Sequence, residues 1–264
     1  MAKCNKCSLI FLDFEPDRKF FTDYYSNEFF NDPGTKHAYS DYEKEAKSLK
    51  ESFEIRSNII SRYRSGGILL DLGCATGAFL ETASKYWQAC GVDISEYAVF
   101  QAKQKKLDVF CGEIQDSPYI KQKFDIITLW DTIEHVTDPK LTIQHINKIL
   151  KPGGIIAMTT GDVGSVISRL CERFWHLYNI PQHLSFFDKF TITKLLEDEN
   201  FVVREILYLP INLTLDYLLF RFMTFYKLSF MRPLYRSLRG LNILDKSINI
   251  NLYDIMFVIA QKKI

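Results

Sequence analysis

Residues 70–77 read Leu70-Asp71-Leu72-Gly73-Cys74-Ala75-Thr76-Gly77, and they connect a short apolar run to a segment of helix-forming residues. Glycines at both ends of the turn permit tight geometry and let backbone N–H groups and the next helix N-terminus face a ligand. A dinucleotide-binding turn needs G-x-G-x-x-G, but those offsets from Gly73 hold Ala75 and Ala78. A phosphate loop needs a lysine after its last glycine, and none follows Gly77. The residues leave two interpretations, which are a loop for a ligand without phosphate and an ordinary strand–helix turn.

Short apolar runs alternate with helical patterns on both sides of this turn. The pattern predicts strands at 68–72, 89–94, 109–111, 124–130, 155–160, 201–207 and 252–260, and helices at 42–63, 78–86, 96–105, 139–150 and 190–199. Strands that alternate with helices favour a parallel sheet covered on both faces. We therefore expect an α/β fold with a Rossmann-like, seven-stranded, mostly parallel sheet, helices on both faces, an N-terminal helical cap and a C-terminal aromatic insertion.

The same pattern divides the chain into four parts. Residues 1–41 are expected to form an N-terminal cap with a remnant C-x-x-C, and residues 42–207 the core with a substrate-side insertion at 161–188. Residues 208–251 are expected to be an apolar lid or dimerisation insertion, and residues 252–264 the final strand of the core. The leucine, phenylalanine and tyrosine residues of 208–251 suit a lid, a homodimer contact or a segment that lies on a membrane surface.

The composition is that of an ordinary globular chain, with 47% hydrophobic and 25% charged residues. A formal net charge of +1 gives no basic footprint, so no nucleic-acid partner is expected. The six cysteines are scattered, and the N-terminus has no apolar core of a signal peptide. The sequence has no uninterrupted run of about 18 apolar residues, so no membrane-spanning helix is expected. These features favour a cytoplasmic protein that can touch a membrane peripherally.

Two carboxylates accompany the glycine loop. Asp71 lies two residues before Gly73, and a carboxylate beneath a loop without lysine suits a ligand that carries positive charge. Asp93 ends the next predicted strand about 20 residues later, where an acid can accept hydrogen bonds from both ribose hydroxyls. The alternative is that Asp93 caps the helix that starts near Ser95.

Five segments between about residues 68 and 160 together resemble the class I S-adenosylmethionine-dependent methyltransferases, in the small-molecule and glycan branch that includes the ubiquinone-pathway O-methyltransferases. They are residues 70–77, 91–95, 111–114, 124–139 and 149–154. The resemblance implies S-adenosylmethionine as the cofactor. It implies that Asp93 binds the ribose and that Glu113 and Ile114 bind the adenine. The cofactor-binding positions that match the family are Asp71, Gly73, Cys74, Ala75, Gly77, Asp93, Ile94, Glu113, Ile114 and Trp130.

The segment after the fourth core strand carries the candidate catalytic residues. Removal of a proton from an acceptor hydroxyl needs a base, and we expect His135 to be that base. The alternative is that His135 orients the loop by hydrogen bonding. In the ubiquinone-pathway relatives an acid upstream of a Glu-His pair helps to bind a divalent cation, and Asp131, Glu134 and His135 take those positions. Asp131 is thus a candidate both for catalysis and as a metal ligand.

Two further sites come from similar local patterns. His183 lies in a Pro-Gln-His-Leu-Ser-Phe-Phe run that resembles a substrate-side segment of relatives, so it is a second candidate for the base or for acceptor binding. The alternative is that it caps the helix after Phe187. Cys4 and Cys7 resemble the second half of a zinc ribbon, but a structural zinc takes four ligands and the first C-x-x-C is missing. The two cysteines are therefore either free thiols or a remnant zinc site.

The expected function is methyl transfer from S-adenosylmethionine to a hydroxyl of a small molecule, a glycan or a lipid-linked intermediate. N- or C-methylation of a small metabolite would leave the cofactor loop unchanged and stays open. So does a scaffold that has the fold without catalysis, although Asp71, Gly73, Gly77 and Asp93 are all in place.

Overall fold

The computed structural model describes residues 1–14, 16, 42–216, 219, 223, 229–231, 234, 235, 237, 238, 244 and 247–264. The aromatic run in the predicted N-terminal cap and many residues of the predicted insertion at 208–251 lie outside the described residues. The lid, dimer and membrane expectations for that insertion therefore stay predictions.

The helices and strands of the described chain alternate as the sequence predicts. The α-helices are α1 (Tyr42–Tyr63), α2 (Ala78–Ala83), α3 (Glu96–Gln104), α4 (Pro139–Ile149), α5 (Val166–Cys171) and α6 (Lys189–Asp198). The strands are β1 (Ala2–Lys3), β2 (Ile10–Phe11), β3 (Ile68–Leu72), β4 (Gln88–Asp93), β5 (Val109–Cys111), β6 (Phe124–Trp130), β7 (Leu150–Gly161), β8 (Ser185–Phe186), β9 (Phe201–Leu207), β10 (Ile211–Thr214), β11 (Ser247–Ile250) and β12 (Ile255–Lys262).

Seven strands form the central sheet in the order β5-β4-β3-β6-β7-β12-β9. The pairs from β5 to β7 are parallel, whereas β12 runs antiparallel to both β7 and β9. The chain moves outward in one direction from β3 and in the other from β6. The carboxyl ends of these two strands therefore flank a topological switch point, where open α/β sheets bind their ligands. The predicted Rossmann-like, mostly parallel sheet is confirmed.

Both faces of the sheet are covered because successive side chains of each strand point to opposite sides. On β12, Met256, Val258 and Ala260 face a core that includes apolar residues of α4 and α6. Phe257 and Ile259 face a second core built with α1 and α2. The β6 strand is buried along its whole length, which fixes the position of the residues that follow it.

The N-terminal segment is a β-hairpin over residues 1–14, and the first described helix starts at Tyr42. The helical cap expected at the N-terminus stays a prediction, because residues 15 and 17–41 lie outside the described residues. The turn is closed because the Ser8 N–H donates to the Cys4 carbonyl and the Cys4 N–H donates to the Leu9 carbonyl. Strand β2 pairs with β8, so the hairpin is attached to the predicted substrate-side insertion.

That insertion, at 161–188, contains α5 as well as β8. At the edges of the later insertion, β10 and β11 pair antiparallel and bring its two ends together. None of the helices in the described part of the chain has both the length and the apolar character that crossing a membrane requires.

Candidate active site

The glycine loop is held between β4 and the segment after β6. The N–H groups of Gly73 and Cys74 donate to the Val92 carbonyl at 2.8 and 3.1 Å. Gly73 has a φ of 76°, and a Cβ at this position would lie 2.5 Å from the Thr132 hydroxyl oxygen. Both the backbone conformation and the space therefore require glycine here. The tight contact places the loop directly beside the residues that follow β6.

Asp93 links this loop to the start of α3. Its Oδ2 accepts the Ala75 N–H at 2.8 Å, and its Oδ1 accepts the Ser95 N–H at 2.8 Å. The helix itself is capped by Ser95, whose side chain accepts from the Ala98 N–H. Burial raises the pKa of Asp93, while the N–H bonds oppose that shift. Each carboxylate oxygen has a second lone pair, so the group can accept two ligand hydroxyls as well.

Asp71 lies under the loop and is 1% exposed. The Thr128 hydroxyl, on the neighbouring strand β6, donates to its Oδ1 at 2.6 Å. Burial raises the pKa of Asp71 to about 8, and the charge of Asp93 adds to the effect. A positive ligand beside this carboxylate would offset its desolvation and favour the ionised form.

Arg56 of α1 brings a positive charge to the same side of the sheet. Its guanidinium carbon lies 4.9 Å from the ring centroid of Trp130 and 5.4 Å from that of Phe53. Burial lowers the pKa of Arg56, while the charges of Asp131 and Asp71 oppose the change. The sequence analysis missed this residue. The available signal was a charged residue three positions after Phe53 on the apolar face of a helix.

The predicted adenine-binding residues lie at the same edge of the sheet. The Gly112 N–H donates to the Asp93 carbonyl at 2.9 Å, which joins the segment before Glu113 to the end of β4. Glu113 is exposed and accepts a hydrogen bond from the Gln115 side chain. Ile114 is buried, whereas Ile94 is 37% exposed. Their contacts with a cofactor stay predictions.

Trp130 ends β6 inside the aromatic part of the second core. Its ring packs edge-on to Phe79 at 4.9 Å and stacks on Phe257 at 5.9 Å between centroids. The indole Nε1 is buried and has no hydrogen-bond partner. The prediction that Trp130 contacts the cofactor stays a prediction.

His135, in the segment that follows β6, and His183 lie together. Their ring centroids are 4.6 Å apart in an edge-to-face arrangement. The Nδ1 atom of His135 lies 3.1 Å from the Gln182 carbonyl oxygen, which only accepts hydrogen bonds. We therefore assign the proton of a neutral His135 ring to Nδ1 and the lone pair to Nε2. The cap of α6 is Asp188, so His183 does not cap this helix.

Glu134 is adjacent to both histidines and is 3% exposed. Its backbone carbonyl accepts the N–H groups of Leu184 and Ser185 at 2.8 and 3.1 Å, which holds the His183 segment in place. Burial raises the pKa of Glu134 to about 8, and the charge of Asp131 contributes. One ligand atom from each of Glu134, His135 and His183 lies within 4.8 Å of the other two. Asp131, by contrast, is exposed and lies outside this group.

A family model described as a methyltransferase domain matches residues 45–206. The chain belongs to this family. The matched residues extend from α1 into β9, so they include the glycine loop, Asp93 and both histidines of the cluster.

Individual relatives of this methyltransferase match shorter parts of it. A ubiquinone biosynthesis O-methyltransferase of Coxiella burnetii is 34% identical over 102 residues, which is 36% of this chain and 44% of the relative. A demethylmenaquinone methyltransferase of Staphylococcus saprophyticus is 27% identical over 128 residues, 45% of this chain and 55% of the relative. The chain thus spans about half the length of the curated relatives it matches.

The fold extends further than the sequence similarity. The crystal structure of magnesium protoporphyrin IX methyltransferase from Synechocystis PCC 6803, which contains bound SAH, aligns with a TM-score of 0.59 at 13% identity. The alignment covers 94% of this methyltransferase and 100% of that chain. At this identity the likeness establishes the fold.

Cys4 and Cys7 lie in one turn of the N-terminal hairpin. Hydrogen bonds from the backbone of Cys7 and Lys6 to the Cys4 sulfur lower the pKa of Cys4. Thiolates are the form that binds metal, and two of them supply half of a structural zinc site. Among the described residues, neither cysteine belongs to a group of three candidate ligands. A zinc remnant at this turn stays a prediction.

Proposed function

We propose that this methyltransferase transfers a methyl group from S-adenosylmethionine to a hydroxyl of a small molecule. Phenolic acceptors related to quinone precursors are the class to test first, because similar proteins are named for ubiquinone and demethylmenaquinone methylation. Glycans and lipid-linked intermediates are the other hydroxyl acceptors to include.

The observation that carries the proposal is the pair of carboxylates, Asp71 and Asp93, at the ends of neighbouring strands around a glycine loop. Residues 68–77 contain neither lysine nor arginine, so the loop has no side chain suited to a phosphate. A ligand with ribose hydroxyls and a positive charge fits this arrangement better than a nucleotide phosphate does. S-adenosylmethionine has both features, and its sulfonium supplies a methyl group that is already activated for transfer.

The cofactor would be held by residues from three neighbouring strand ends. Asp93 would accept the ribose hydroxyls at the carboxylate oxygens that already bind Ala75 and Ser95. Glu113 and Ile114 would bind the adenine edge and face. The positive charge of Arg56 suits the carboxylate of the cofactor's amino-acid part. The carboxylate of Asp71 suits the positive charge of the cofactor.

The acceptor would lie on the side of the two histidines. His135 is held by the Gln182 carbonyl, which leaves the lone pair of the neutral ring at Nε2. A hydroxyl placed against Nε2 can transfer its proton there as the oxygen is methylated. His183, with its ring 4.6 Å away, would orient either the acceptor or the protonated His135.

The proposal is tested by a methyl-transfer screen with labelled S-adenosylmethionine against catechols, hydroquinones, sugars and lipid-linked sugars. We expect label in the ether product of at least one hydroxyl compound. The Asp93→Asn variant, at matched protein concentration, serves as the control for transfer that does not use this site. Label that enters amines or carbons, with none in any hydroxyl compound, would contradict O-methylation while leaving the cofactor assignment intact.

A further inference from the structure

We propose that Glu134, His135 and His183 form a binding site for one divalent transition-metal ion of the zinc type. The three side chains come from two segments about 50 residues apart, and each brings one ligand atom to within 4.8 Å of the other two. The metal site itself does not depend on the proposed function. Only the role of the metal towards the acceptor rests on the proposed function.

The carboxylate of Glu134 is the first reason. Its Oε2 is buried without a hydrogen-bond partner, whereas the Thr160 side chain binds the carboxyl group and helps to orient it. A buried acceptor that is left unsatisfied costs free energy. A cation between Glu134 and the two imidazoles would satisfy that oxygen.

The orientation of the histidines is the second reason. Metal-binding histidines usually donate their other ring N–H to a carbonyl or carboxylate, which fixes the tautomer and the ring plane. His135 has this arrangement, because its Nδ1 faces the Gln182 carbonyl at 3.1 Å. The His183 segment is fixed as well, since the Leu184 and Ser185 N–H groups bind the Glu134 carbonyl.

The donor set identifies the class of metal. Two imidazole nitrogens and one carboxylate oxygen suit zinc, cobalt and iron(II), whereas magnesium and calcium prefer oxygen ligands. Three protein ligands leave a coordination position for a substrate oxygen, as in catalytic metal sites. A bound ion of this kind supplies a Lewis acid that makes a coordinated hydroxyl more acidic. In the loaded protein His135 would be a ligand, and in the metal-free protein a base.

This set differs from the one that the sequence resemblance implied. Asp131 is exposed, and it is Glu134 and His135 together with His183 that converge. A small cavity lined by Glu134, Thr160, Trp175, His183 and neighbouring residues adjoins the cluster. The exchange of an exposed carboxylate for a buried imidazole moves the preference from magnesium to zinc-type metals.

The test is a metal titration in the absence of S-adenosylmethionine and acceptor. The protein would carry Cys4→Ser and Cys7→Ser, so that the paired thiols of the N-terminal turn cannot take up the metal. Chelator-treated protein would be titrated with Co²⁺ and with Zn²⁺, and followed by visible absorption and by calorimetry. We expect one ion per chain and a cobalt spectrum without thiolate charge-transfer bands. If neither Co²⁺ nor Zn²⁺ binds saturably at one ion per chain, the proposal is overturned.

Three variants in the same background identify the ligands. Glu134→Gln and His183→Ala should each weaken Co²⁺ binding by at least about tenfold. Asp131→Asn should change it by less than about threefold, because an exposed charge acts through screened solvent. Equal losses in Asp131→Asn and Glu134→Gln would support the set implied by the sequence and overturn ours. Circular dichroism confirms that each variant is folded, and His183→Asn replaces His183→Ala if that variant does not fold.

A separate calorimetric titration with S-adenosylmethionine distinguishes this proposal from the proposed function. Metal binding without cofactor binding would contradict methyl transfer and leave the metal site standing. Cofactor binding without metal binding would contradict the metal site and leave methyl transfer standing. His135 would then keep its role as the base.

Discussion

Replacement of Asp71 by asparagine should stabilise the cofactor-free protein at alkaline pH and weaken S-adenosylmethionine binding. The asparagine has nearly the same shape and can still accept the hydrogen bond from the Thr128 hydroxyl. It removes a carboxylate that is buried, with 1% of its surface exposed. The negative charge of that carboxylate destabilises the cofactor-free protein and becomes favourable only when a positive ligand binds beside it. Stability and binding should therefore change in opposite directions.

The size of the effect follows from the pKa. Asp71 has a pKa of about 8 in the folded protein and 3.8 as the ordinary value, a difference of about 4 units. At 1.36 kcal/mol per unit, ionisation of the folded protein costs on the order of 5 kcal/mol, as an upper limit before the site relaxes. We expect a measured gain of about 1–3 kcal/mol for the variant at pH 9, because water entry reduces the cost and the asparagine amide needs an acceptor.

The pH dependence has a definite sign. The folded protein retains the Asp71 proton between pH 3.8 and about 8, whereas the unfolded chain has released it. The stability due to this proton is fully present below pH 3.8 and is lost as the pH rises towards 8. Urea unfolding of both proteins at pH 5, 7 and 9 should thus give a difference in unfolding free energy that grows with pH. Glu134 titrates in the same range, but it is present in both proteins and cancels.

Asp125 provides the matched control on the neighbouring strand. Burial raises its pKa, but bonds from Lys151 and the Ile68 N–H and the charge of Arg64 outweigh burial and lower it overall. Asp125→Asn should therefore destabilise the protein near neutral pH, and less so in acid. A loss of stability in Asp71→Asn at every pH, or unchanged S-adenosylmethionine affinity, would refute the reasoning about Asp71.

Three further substitutions have expected outcomes. Gly73→Ala should lower the unfolding free energy by about 1–3 kcal/mol in urea titrations, since its Cβ would lie 2.5 Å from the Thr132 oxygen at a φ of 76°; Thr132→Ala should restore part of the loss. Asp93→Asn should weaken S-adenosylmethionine binding by at least about tenfold in calorimetry, because one carboxylate oxygen becomes an NH2 group, which cannot accept a hydrogen bond from a ribose hydroxyl; unchanged affinity would exclude the ribose role. His135→Ala should lower the turnover rate about 100-fold with cofactor affinity unchanged; equal turnover would remove it as base or metal ligand.

The central sheet could be predicted from the sequence because its signals are local. Strands β3 and β6 have the predicted bounds, since each is a short and mainly apolar run. Strand β7 starts at Leu150, earlier than predicted, because the chain pairs with β6 already before the glycines at 153 and 154. The cofactor loop was identifiable because it needs glycines and acids at fixed offsets along one short segment.

The acceptor side could be predicted only in part. His135 and His183 were each recognisable as candidates, but their pairing depends on backbone bonds between Glu134 and the residues after His183. The strands β1, β2 and β8 have two residues each, which is too short for a periodic signal. Arg56 was missed because its contact with Trp130 arises from packing of α1 against the sheet. Contacts between distant segments leave no fixed spacing in the sequence.

Binding of S-adenosylmethionine at the loop of residues 70–77 is measured most directly by isothermal titration calorimetry. The full chain, folded by circular dichroism, should bind one cofactor with saturation in the micromolar range. The titration at pH 7 in two buffers of different ionisation enthalpy should also show proton release, because the positive cofactor favours the ionised form of Asp71. Absence of binding at high micromolar concentrations of S-adenosylmethionine would contradict a cofactor site at this loop.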